Sequence, residues 1–265
     1  MANGKEGLKE FLLSKNVLIR VNLLLLSYIG WVTFGMLYSI LGRWSVNLTP
    51  YLLKLPFTSR NFVLSLYSAI RGVPILYKIL EAVYYIGFSG AIAFESMYLL
   101  VLKRDLKIFD RLLVTYTCMY LISGASYVLF HVYAPHVVYG LEGYPGEGFL
   151  TRKEFVFPSL HNAFAMANIL ILWGYRREPG ALLLIILNAL VPPSTLLLAH
   201  HWIYDVLSGF LVATLAFKAS MQCRIQTEKY LLETKTLLKV TLIFSIMVVV
   251  TIILSFFPIV SHINL

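Results

Sequence analysis

Seven apolar runs of membrane-crossing length, separated by charged or proline-containing connections, constrain this chain before any single residue does. They fall at 17–41, 75–102, 112–134, 159–175, 180–200, 203–222 and 237–260, and a helical crossing needs about 20 predominantly apolar residues. Only 13% of the chain is charged and its mean hydropathy is +0.78, against about 25% charged in a soluble domain. The 265 residues are used up by one bundle, which leaves no room for a separate soluble domain. The pattern predicts an all-α polytopic membrane helix bundle. Its expected parts are a polar tail at 1–16, a six-span membrane domain at 17–222, and a connection with one additional C-terminal span at 223–265.

Two connections carry more than charge. The segment 42–74 holds Pro50, Pro56, Pro74, Arg43, Lys54, Arg60 and Arg71 among aromatics and leucines. It is too charged to cross a bilayer and reads as short helices lying in the interface. The loop 135–157 contains four glycines, Pro135, Pro145, Glu142, Glu147 and Glu154. The first apolar run has no small-residue cleavage signal and reads as a retained span.

Threading seven spans puts fifteen of the 22 Lys and Arg residues on the side of the N-terminus, which the positive-inside rule makes cytoplasmic. In a soluble chain a net charge of +9 would suggest nucleic acid. Here the basic residues punctuate apolar runs and read as topology signals, so no nucleic-acid partner is expected. With Cys118 inside a span and Cys223 after another, a disulfide framework or cysteine metal site is not expected.

Ionisable residues at the ends of spans demand a chemical account, because they are costly to keep there. FPSLHNAFA at 157–165 and HHWIYDVLSG at 200–209 supply three of them: His161, His201 and Asp205. His201 and Asp205 stand at i and i+4, on one helical face. A carboxylate there can hold the Nδ1 proton and leave Nε2 as a nucleophile. A histidine at an interface can also simply snorkel or cap a helix end, and an Asp partner with a second distant histidine argues against that. On the seven-span threading all three fall on the extracytoplasmic side. Ser159 after Pro158 reads as an N-cap whose first-turn N–H groups face an anion. His200 points about 100° away from His201 on a helix and reads as a loop or supporting residue. Glu95, deep in the second run, is expected to face the bundle with hydrogen-bond partners, and Pro192-Pro193 to bend the fifth run.

The strings PSLH and HHWIYD resemble the second and third motifs, PSGH and SRxxxxxHxxxD, of the type 2 phosphatidic acid phosphatase superfamily. The resemblance implies that His201 attacks phosphorus to form a phosphohistidine, that Asp205 orients it and that His161 protonates the leaving group. Leu160 stands where the family has Gly, Ser194-Thr195 stands where Ser-Arg is usual, and no KxxxxxxRP motif occurs, HVYAPHVVYG at 131–140 taking its place. These departures are similar to the branch of inositol phosphorylceramide synthases and related inositol phosphotransferases.

With the family's Arg missing, Arg152 and Lys153, just upstream of His161, are the expected phosphate-binding cations, with Ser159 and His200 beside them. The expected reaction is metal-independent double displacement on a lipid phosphate or phospholipid, with water or an alcohol as acceptor and no cofactor. Asp205 is the one Asp near the histidines, which disfavours a metal-dependent alcohol phosphotransferase. The rival from another class is a non-enzymatic lipid-binding protein or transporter on the same scaffold. A transporter would show paired broken helices in repeated halves, which the sequence lacks.

Overall fold

A computed structural model of the chain describes residues 7–85, 90–141, 152–223, 225–227 and 232–256. Glu142, Pro145 and Glu147 lie outside the described residues. The helices are α1 (Leu8–Leu12), α2 (Lys15–Leu41), α3 (Thr49–Leu52), α4 (Arg60–Arg71), α5 (Pro74–Tyr85), α6 (Ala91–Met97), α7 (Leu106–Leu129), α8 (Pro135–Val138), α9 (Leu160–Leu172), α10 (Pro179–Ala189), α11 (Val191–Leu197), α12 (Ile203–Ser220) and α13 (Thr234–Phe256). A π-helical stretch, Tyr98–Lys103, continues α6, and two short strands, β1 (Val46–Asn47) and β2 (Phe130–His131), pair in parallel. The protein is an all-α membrane bundle. Among the described residues five helices are long and apolar enough to cross a membrane, or six if the bent pair α4–α5 is one span.

Contacts sort the connections between two ends of the bundle. At one end β1 pairs with β2, Val132 bridges Phe155, and the Ser159 N–H donates to the Asp205 carbonyl at 3.1 Å. At the other, Lys103 pairs with Glu178 at 2.7 Å, Tyr175 donates to Asp105, and Thr227 donates to Asn16 at 2.7 Å. The ends of α9 and α12 that carry the histidine motifs therefore lie together at the first end.

The central element is α9. Leu160, Ala163, Phe164, Ala167 and Ile171 form one buried face, and Asn162, Ala165 and Asn168 on the other side are buried too, as expected of a helix enclosed by neighbours. At 13 residues it is only about 20 Å long, shorter than the roughly 30 Å hydrocarbon layer. Helices α7, α10 and α12 enclose it. On the flank, α13 packs on α2, where Asn22 Nδ2 donates to the Leu237 carbonyl at 3.2 Å. Among the described residues one Arg–Asp pair lies inside the bundle: Arg20 grips both carboxylate oxygens of Asp110 at 2.6 and 2.9 Å, joining α2 to α7.

The 107° bend between α4 and α5 falls just ahead of the run 75–102, and α5 carries an exposed Lys78–Glu81 pair at 2.6 Å. Such a pair has no place in hydrocarbon, so α5 stays with the interfacial α4 while α6 and its π-helical extension run to the far end. Pro192 and Pro193 sit in the first turn of α11, where a missing N–H costs nothing, and α10 with α11 makes up one membrane-length stretch, Pro179–Leu197. Glu95 is fully buried as expected, but neither carboxylate oxygen has a hydrogen-bond partner among the described residues.

Candidate active site

Asp205 is set by its place in the first turn of α12. Its Oδ2 accepts from the Trp202 backbone N–H at 2.7 Å, satisfying one of the donors a helix start leaves open. Trp202, buried, is pinned by its indole N–H to the Tyr133 carbonyl at 2.8 Å. His201 is not on the helical face expected for it: it lies in the loop ahead of the N-cap Trp202, and from there its ring puts Nδ1 3.6 Å from Asp205 Oδ2. That is just outside a hydrogen bond, and neither His201 Nδ1 nor Asp205 Oδ1 has a partner among the described residues. The Val156 backbone carbonyl also acts on the ring, and since Nδ1 has no partner among the described residues that contact falls to Nε2. A neutral imidazole has one N–H, so a bond from Nδ1 to Asp205 requires the tautomer that leaves Nε2 without a proton. Burial lowers the proton affinity of His201, which keeps the ring neutral, the state a nucleophile requires.

The second histidine arrives from α9. Ser159 caps this helix, its Oγ accepting from the Asn162 N–H at 3.4 Å and from Asn162 Nδ2 at 2.8 Å. His161 projects from the same first turn, its ring centroid 5.8 Å from that of His201. The two helix starts are locked to each other. Besides the Ser159 to Asp205 backbone bond, Asn162 Nδ2 donates to Thr195 Oγ1 at 3.0 Å, and the Thr195 carbonyl accepts from the N–H groups of both His200 and His201 at 2.9 and 3.1 Å. Thr195, which stands where the family motif has Arg, thus joins α9, α11 and the histidine loop.

Around this pair the fold gathers further rings. Tyr84, near the end of α5, stacks on His200 at 3.9 Å and 4°, and on His161 at 4.8 Å and 16°. His136, from the short α8, meets His200 edge-on at 5.4 Å. Neither Tyr84 nor His136 was legible as a site residue in the sequence. The one hint was that HVYAPHVVYG occupies the position of the absent first motif.

The sequence-expected cations behave differently. Arg152 is turned to α2, its Nε donating to the Gly35 carbonyl at 3.0 Å and its guanidinium lying over Tyr38. Packing explains this: the aromatic cluster of Trp31, Phe34, Tyr38, Tyr127 and Phe155 offers a guanidinium a ring face. Lys153 sits over Tyr133, 6.0 Å from the ring centroid. The structure thus places Arg152 against α2, while Ser159 caps the helix that carries His161 and His200 adjoins His201.

The arrangement can perform covalent catalysis: a neutral imidazole with a carboxylate behind it, and a second imidazole across a small gap. Comparison with known proteins agrees with this geometry. A family model described as PAP2 superfamily matches residues 60–219, from the start of α4 almost to the end of α12, leaving α2 and α13 as flanking helices. A protein of Methanocaldococcus jannaschii, named only as uncharacterized, is 28% identical over 222 residues, 83% of this chain and 90% of that protein. No solved structure matches the chain. With the family model covering more than half of its length, and with both histidine motifs inside the match, the chain belongs to the PAP2 superfamily.

Proposed function

We propose that the protein is a membrane phosphoryl-transfer enzyme acting on a lipid phosphate or phosphodiester through a phosphohistidine, without a metal ion. The observation that carries this reading is the meeting of His161, His201 and Asp205, from strings some forty residues apart, at one end of the bundle. In the first half-reaction His201 Nε2 attacks phosphorus, Asp205 takes up the Nδ1–H bond and stabilises the imidazolium, and His161 gives its proton to the departing alkoxide. In the second, His161 removes a proton from water or an alcohol, whose oxygen displaces His201. Tyr84 covers the faces of His161 and His200, and face-to-face stacking leaves the nitrogen-bearing edges of such rings for proton transfer.

A branch similar to the inositol phosphotransferases, with a lipid-linked alcohol as acceptor, is supported by Leu160, Thr195 and the absent first motif. An extracytoplasmic site is supported by the fifteen basic residues threaded to the opposite side.

The test is chemical trapping. Protein purified in detergent and mixed with a lipid phosphate labelled at phosphorus should retain acid-labile, alkali-stable label, insensitive to EDTA. His201→Ala should retain none. Labelling that survives this substitution overturns the mechanism, and inhibition by EDTA reversed by a divalent ion overturns metal independence. Adding inositol or lipid alcohols should divert label from free phosphate into a new lipid. Free phosphate alone with every acceptor favours the phosphatase reading. For sidedness, Val137→Cys in a chain whose Cys118 and Cys223 are changed to Ser should react with an impermeant thiol reagent added outside intact cells. Protection there, with reaction only after lysis, reverses the assignment.

A further inference from the structure

A phosphoryl group on His201 carries negative charge into a pocket that already holds the Asp205 carboxylate, in a place where the two side chains are 4% and 0% exposed. Buried charge of one sign is tolerated only when opposite charge and hydrogen-bond donors meet it. Arg152, the sequence-nearest guanidinium, is committed to the Gly35 carbonyl and the Tyr38 ring. What the fold brings to the histidine loop from elsewhere is another imidazole.

His136 is attached to that loop twice. Its backbone N–H and its ring Nδ1 both donate to the Ala199 carbonyl, at 3.1 and 3.0 Å. Ala199 itself is left-handed, with φ at 57°, a conformation that a non-glycine residue holds only when its surroundings enforce it. Its carbonyl is thereby aimed at His136 immediately before His200 and His201. The Nδ1 bond fixes the tautomer, so that a second proton on this ring goes to Nε2. The ring also meets that of His200, the residue next to His201, edge-on at 5.4 Å. Burial holds His136 below the usual imidazole value in the unliganded protein. It is nevertheless only half-buried and lies on α8, outside the spanning helices, so water can deliver a proton when an anion arrives.

We propose that His136, protonated on both ring nitrogens when substrate is bound, is a phosphate-binding residue of this site, filling the electrostatic role that Lys or Arg would otherwise serve. The proposal rests on the phosphoryl-transfer reading above. No bond is made or broken at His136: it takes up one proton on Nε2 and donates a charge-assisted hydrogen bond to a phosphate oxygen.

The experiment separates binding from clamping. Asn at this position keeps an N–H where Nδ1 meets Ala199 and deletes the atom that would meet phosphate. His136→Asn should raise the KM for a short-chain lipid phosphate and the inhibition constant for inorganic phosphate by about tenfold, roughly the loss of one charge-assisted bond. The maximal rate should change much less, and His136→Arg should bring the phosphate constant back to the wild-type value or below. If His136→Asn leaves both constants unchanged, or lowers only thermal stability, His136 is a clamp and the proposal falls alone. Should the Asn variant not fold, the Arg variant decides: weakened phosphate inhibition in a folded, active protein refutes the proposal. Wild-type protein that neither cleaves a phosphomonoester nor is bound by phosphate removes the phosphoryl-transfer reading and this proposal with it.

Discussion

A Cβ atom added at Gly209 would lie 2.5 Å from the Ser159 carbonyl oxygen. The two motif helices touch there, backbone against backbone, with Ala163 N and Asn162 Cβ at 3.1 and 3.3 Å completing the fit. This approach lets the Ser159 N–H reach the Asp205 carbonyl and so fixes His161 against His201.

Gly209→Ala should therefore push α12 from the start of α9. Overpacking of this kind costs about 1–3 kcal/mol, and the histidine separation should suffer more than the fold does. Turnover should fall at least tenfold while the variant remains extractable as a folded monodisperse protein. Unchanged turnover would mean that the helices separate without disturbing the site.

Asp205→Asn keeps the shape and removes the charge behind His201. If the carboxylate selects the Nδ1 tautomer and stabilises the imidazolium, turnover should fall on the order of 10⁴-fold, as in comparable His–Asp pairs. Rates of phosphoenzyme formation read this directly. A loss below tenfold would leave Asp205 only its bond to the Trp202 N–H.

Arg152→Ala should leave the KM for a lipid phosphate within twofold of wild type, because the guanidinium serves α2. It should lower the unfolding temperature in detergent, since the Gly35 carbonyl and the Tyr38 face lose their partner. A tenfold rise in KM would return Arg152 to the phosphate site.

Removing one member of the Arg20–Asp110 pair, as in Asp110→Asn or Arg20→Met, strands the other inside the bundle and should cost about 3–5 kcal/mol. Replacing both with apolar residues should recover much of that loss. Thermal unfolding of the two single variants and the double variant measures it, and purely additive losses would show that the pair is not coupled.

The local features of this protein were legible in its sequence because their causes are local. Apolar runs of membrane length impose helices, since no other open structure satisfies its backbone in lipid. Ser159 caps α9 through atoms three residues away, whereas His201 lies in the loop before α12 and meets Asp205 through the path of that loop, not through a shared helical face. The surroundings of the nucleophile were decided only by tertiary structure. Arg152 stands nine residues before His161 yet turns to an aromatic cluster on α2, while His136, 65 residues before His201, reaches the loop beside it through the Ala199 carbonyl. Sequence distance says little about such choices. A side chain goes to the partner that the packed helices hold within reach, and that partner exists only once α2, α7, α9 and α12 have closed on one another.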